Sequence, residues 1–164
     1  MKTEELTQLV MKLKDHQLTL AFAESCTAGS LAAALSEATG TNGVFLGSMV
    51  TYDPEAKQRV LGVKKKTLEL YSAESQQVTN EMVMGLYNLL KADVCIAVTG
   101  LLGEGASETV EKPVGTMFVS ILFKDKVEEY RELFKGDYEK LREQLIDFIF
   151  QKLDATIDRH YSHE

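Results

Sequence analysis

Apolar positions along the chain change period several times, and each change marks a new element. From Thr3 to His16, Leu6, Leu9, Val10 and Leu13 share one helical face with charges opposite, which predicts an amphipathic opening helix. Leu18 to Ala23 is an apolar run of strand length, and Leu31, Ala34, Leu35 and Ala38 return to helical spacing. A strand-to-helix junction is therefore expected across Ala23-Glu24-Ser25-Cys26-Thr27-Ala28-Gly29. The Gly-rich break from Thr39 to Gly43 leads to a second strand, Val44 to Tyr52, and Pro54 suits the first turn of a short helix carrying Ala56, Lys57 and Val60.

Ser75 reads as the N-cap of a long helix with a core stripe of Val78, Met82, Leu86, Leu89 and Leu90, and Met82 and Met84 are read as packing. Val94 to Val98 is a continuous apolar run, typical of a strand covered on both faces, ending in Thr99-Gly100. The segment Gly100 to Pro113 lacks periodicity and is too long for a tight turn, so it reads as a functional or mobile loop at a pocket rim. Val114 to Phe123 and Lys126 to Phe134, separated by Lys124-Asp125, predict a hairpin. Gly136-Asp137 then caps a last helix with Leu141, Leu145, Phe148, Ile149 and Leu153 on one side. The sum is an α/β fold, a three-layer α/β/α sandwich with a mixed sheet in a single domain over residues 1–164, with a core at 1–157 and a frayed tail at 158–164.

In such sheets ligands gather beyond the carboxyl ends of the strands, and Ser25, Tyr52 and Thr99 all follow predicted strands. Position alone favours Ser25 or Thr27 as a helix cap. Near the first helical turn a hydroxyl is also placed as a nucleophile, beside N–H groups able to stabilise an oxyanion. The base is not expected to be histidine, because His16 ends the first helix and His160 and His163 lie in the tail. Lys57 is the candidate, since a buried lysine can lose its proton near neutral pH; its alternative is a solvated helix residue. Cys26 is the rival nucleophile, although it and Cys95 read more readily as small buried hydrophobes.

Composition narrows the class. A net charge of -7, with Lys64-Lys65-Lys66 as the longest basic run, argues against a nucleic-acid partner. The two cysteines form no CxxC pair, so neither a disulfide framework nor zinc is indicated, and a reducing cytoplasm is the default. No apolar run approaches the roughly 20 residues that a membrane crossing needs, and no signal pattern precedes the first helix. Without a GxxxxGK phosphate loop, a strand-linked GxGxxG or clustered metal ligands, no cofactor or metal is expected. Homo-oligomer formation is left open.

Four blocks carry a resemblance: Ala23-Glu24-Ser25-Cys26-Thr27, Val50-Thr51-Tyr52 with Glu55-Ala56-Lys57, Val98-Thr99-Gly100, and Lys112-Pro113-Val114-Gly115-Thr116. In order and spacing they resemble the CinA C-terminal domain family. The resemblance implies a nicotinamide-nucleotide amidase that converts nicotinamide mononucleotide to nicotinic acid mononucleotide and ammonia without metal. It implies Ser25 as nucleophile, Lys57 as base and Tyr52 as a residue that positions base or substrate. Glu24, Cys26, Thr27, Ala28, Gly29, Thr99, Gly100 and Gly103 would bind the pyridine nucleotide. The chain departs from the family pattern in three places. Ala28-Gly29 stands where two glycines are usual, Leu101-Leu102-Gly103-Glu104 replaces the usual loop, and Tyr138 occupies the place of an arginine, for which Arg142 is the candidate substitute. Tyr138 and Glu104 motivate an alternative, a non-catalytic nucleotide-binding or interaction domain of the same fold.

Overall fold

A computed structural model describes residues 1–161. Helix α1 (Thr3–Asp15) precedes β1 (Leu20–Glu24), α2 (Ser30–Ser36), β2 (Phe45–Val50), α3 (Pro54–Leu61), α4 (Lys65–Tyr71) and α5 (Gln76–Leu90). Then follow β3 (Val94–Gly100), β4 (Thr116–Phe123), β5 (Lys126–Leu133) and α6 (Tyr138–Tyr161). The strands form one mixed sheet in the order β2-β1-β3-β4-β5. β1 pairs in parallel with β2 and β3, whereas β3–β4 and β4–β5 are antiparallel. This is the α/β/α architecture that the sequence predicts.

Alternation along the strands divides the core in two. Leu20, Phe22, Val94, Ile96, Val98, Val119 and Ile121 point to the layer of α1, α2 and α6. Ala21, Ala23, Cys95 and Ala97 point to the other layer, under α3 and α5. Short side chains on that second face let α5 approach the sheet closely. Gly85 extends the close packing to α3, because a Cβ there would lie 1.9 Å from the Leu61 carbonyl oxygen. α3 is thereby fixed against α5, and α3 carries Lys57.

The β4–β5 turn follows from its two residues. Lys124 and Asp125 both have positive φ, 50° and 62°, the handedness that a two-residue hairpin needs to match strand twist. Helix α4 lies in a stretch to which the sequence pattern assigns no element, and it buries no residue fully, so it lacks a strong apolar stripe. Sequence expectations need correction at two places, α5 and the tail. Met84 and Leu89 are exposed rather than part of the α5 core. The loop from Gly100 to Pro113, expected as functional or mobile, is tied at its base, where Leu101 N–H donates to the Thr116 carbonyl and Gly115 N–H to that of Leu101, and Leu101 and Leu102 are buried. Finally, residues 158–161 do not fray: α6 continues to Tyr161, whose ring stacks on His16 at 3.6 Å between centroids. The remainder of the expected tail, with His163, lies outside the described residues.

Candidate active site

The carboxyl ends of the three parallel strands meet at one point. Glu24 closes β1, opposite Val50 of β2 and Val98 of β3. Its side chain is fully buried and accepts five hydrogen bonds. Oε2 takes the Thr27 hydroxyl at 2.7 Å and the N–H groups of Gly29 and Leu31 at 3.0 Å, while Oε1 takes the Ala32 N–H at 3.0 Å and the Ser48 hydroxyl at 2.8 Å. A carboxylate thus performs the capping that sequence position suggested for Ser25 or Thr27, since the N-cap Gly29 has no side chain to offer. Ala28 and Gly29 turn the chain through φ of 48° and 96°. The Ala28 methyl is solvent-exposed, and this non-glycine residue in the left-handed region costs about 1 to 2 kcal/mol.

Ser25 is left free of the cap, and its Oγ lies 2.8 Å from Lys57 Nζ, 32 positions away in sequence. Lys57 reaches it from α3, whose start is set by Pro54 in the first turn and by the Asp53 carboxylate accepting the Glu55 N–H at 2.7 Å. Nζ also donates to the backbone carbonyls of Thr51 at 2.6 Å and Tyr52 at 3.0 Å. Lys57 is fully buried, and burial lowers its pKa from the ordinary 10.5, against an opposing pull from the Glu74 carboxylate. A neutral amine has two N–H groups and one lone pair. Two carbonyls and one hydroxyl can take the three N–H groups of an ammonium, and in the neutral form the two carbonyls keep both N–H groups while the lone pair faces the Ser25 hydroxyl.

Other site residues fall into distinct places. Tyr52 holds Lys57 by its carbonyl, while its ring is 69% exposed at the pocket. Burial pushes the Cys26 thiol up to about 12, so it stays protonated and is a poor nucleophile. Cys95 is pushed up to about 11 for the same reason. Thr99 turns away from the pocket, its hydroxyl 2.9 Å from that of Thr79 on α5, and Thr27 is buried against Glu24. Gly100 and Gly103 line the pocket, and Arg142 lies over the Tyr138 ring, 5.7 Å from its centroid.

The cavity over Ser25 has a volume of about 400 Å³. Ser25 and Cys26 form its floor, Tyr52, Asp53 and Tyr138 part of its wall, and Gly100 to Ala106 its rim. The sequence reading missed Thr51, whose carbonyl makes the shortest contact to Lys57 and whose Oγ1 is buried without a partner among the described residues. It also missed Glu74, which lines the cavity from just before the Ser75 cap. An Asp-Pro pair signals the α3 cap, but no local pattern marks Glu74. Among the described residues, no group of three or more His, Cys, Asp or Glu side chains could hold a metal ion, and no helix is long and apolar enough to cross a membrane.

A buried hydroxyl–amine pair at the strand ends of an α/β/α sheet is the arrangement of a Ser-Lys site. The chain belongs to the CinA family, whose C-terminal domain matches residues 3–157. It is 35% identical over 160 residues to a CinA-like protein of Petrotoga mobilis, covering 98% of this chain and 39% of that one. A CinA-like protein of Thermotoga neapolitana is 41% identical over 143 residues, covering 87% of this chain and 35% of the relative. The chain therefore spans well under half the length of these relatives. Among solved structures, a CinA superfamily protein from Klebsiella pneumoniae superposes with a TM-score of 0.90 at 35% identity, covering 97% of this chain and 99% of that one. One from Escherichia coli gives 0.87 at 36%, covering 93% and 88%.

Proposed function

We propose that the chain is a Ser-Lys amidohydrolase that cleaves the carboxamide of nicotinamide mononucleotide or a closely related pyridinium carboxamide, releasing ammonia. The observation that carries the reading is the 2.8 Å approach of a buried Lys57 Nζ, already bound to two carbonyls, to Ser25 Oγ. Ser25 Oγ attacks the amide carbon as its proton passes to Nζ. The carbonyl oxygen becomes an oxyanion, for which the N–H groups of Cys26 and Thr27, without a backbone acceptor among the described residues, are the nearest candidates in sequence. The Lys57 ammonium returns the proton to the leaving nitrogen, and the C–N bond breaks to give ammonia and an ester on Ser25. Water then adds to that ester, again losing a proton to Nζ, and the acid departs with Ser25 restored.

Ammonia release from nicotinamide mononucleotide and its pyridine carboxamide relatives tests the reading. Turnover by the natural chain and a loss of about 10^4-fold or more in Ser25→Ala are expected. No release above the Ser25→Ala background rejects it. Tyr138 and Glu104 at the cavity favour a second reading, a domain that binds a nucleotide without turning it over. Tight binding with no ammonia release would select it.

A further inference from the structure

Three carboxylates, Asp53, Glu74 and Glu104, share the lining of the Ser25 cavity with the phenol rings of Tyr52 and Tyr138. Among the described residues that line it, none is a lysine, arginine or histidine. Lys57 approaches only from behind Ser25, its amine occupied by Ser25 and two carbonyls. Two other cations are near and both are engaged. Lys112 Nζ donates to Ser72 Oγ at 2.6 Å and to the Glu74 carbonyl and Ser107 Oγ at 2.9 Å, and Arg142 lies over the Tyr138 ring. The Asp53 carboxylate is fixed as the α3 cap, and the Ser107 hydroxyl holds that of Glu74.

A phosphate dianion entering this cavity meets charges of its own sign without an opposing fork of donors. A pyridinium ring meets carboxylates and exposed aromatic faces, both of which attract a cation. Resting on the amidase reading of Ser25 and Lys57, we propose that this chain selects, among pyridinium carboxamides, the net-cationic nucleoside over its 5′-phosphate. Glu104 and Tyr138 are the residues that set this preference, because both face the cavity and neither takes part in the proton transfer.

The test offers N-ribosylnicotinamide and its 5′-phosphate separately and follows ammonia release at low and high ionic strength. A kcat/KM about tenfold or more higher for the nucleoside, with a gap that narrows as salt rises, is expected. Glu104→Gln and Tyr138→Arg should each move the ratio toward the phosphate. An equal or higher value for the 5′-phosphate overturns the charge preference and leaves the amidase standing. If neither compound releases ammonia above the Ser25→Ala background, the amidase reading falls, and calorimetric binding of the same two compounds decides the preference. Tighter nucleoside binding supports it; tighter phosphate binding, or binding of neither, overturns it.

Discussion

Two buried ionisable side chains flank the junction at Ser25, and their surroundings differ in one respect. Glu24 is enclosed by five donors, three of them backbone N–H groups of the turn into α2, so its acceptor capacity is spent on building the turn. Lys57 has three neighbours, two of them carbonyls and one a hydroxyl with chemistry of its own. The difference separates a polar network that specifies structure from one that leaves a reactive contact. On the proposed amidase reading, it also accounts for a strand end that is rigid and catalytic at once, since Glu24 holds the turn while Ser25, the next residue, takes no part in the cap.

Replacing each partner should break this comparison in opposite ways. Lys57→Met removes the base and should lower turnover by about 10^2 to 10^4-fold, while thermal stability holds or rises because a costly buried amine is gone. Burial lowers the Lys57 pKa, so between that lowered value and the ordinary 10.5 the folded chain binds fewer protons there than the unfolded chain. Stability contributed at this site therefore rises with pH across that window, and denaturant titrations of Lys57→Met should lose this part of the rise. Glu24→Gln should have the opposite effect on stability. Its amide cannot accept all the N–H groups around it, and a loss of about 2 to 4 kcal/mol is expected by denaturant unfolding, with activity falling as the turn loosens.

A subtler change sharpens the contrast. Glu74 favours the ammonium form of Lys57 through its charge. Glu74→Gln should therefore lower the Lys57 pKa further and move the acid limb of the kcat/KM profile to lower pH. An unchanged limb would mean that Glu74 does not act on the base.

Much of this was legible in the sequence because local rules and global fold agreed. Strand ends placed Ser25 and Tyr52 together, and Pro54 located the helix that carries Lys57. Glu24 was named as a substrate contact, but its side chain turns inward; a strand of continuous burial has no alternation to reveal which side its last residue faces. Thr99 was named for the pocket and its hydroxyl lies toward Thr79, because β3 is likewise buried throughout and the hydrophobic pattern cannot report the pleat. Glu74 escaped notice because its position depends on α4 and on the loop contacts through Ser107 and Lys112, all of them tertiary. Tyr52, expected to help position base or substrate, holds Lys57 by its backbone carbonyl, a contact that no side-chain motif encodes, while its exposed ring lines the cavity.

The most direct measurement is an NMR titration of the lysine side-chain nitrogens, with the Lys57 signal assigned by its loss in Lys57→Met. The account predicts that Lys57 is deprotonated while the exposed lysines are still ammonium, and that its transition moves to lower pH in Glu74→Gln. A Lys57 signal that titrates together with the surface lysines would contradict it, because Ser25 would then face an ammonium unable to take its proton.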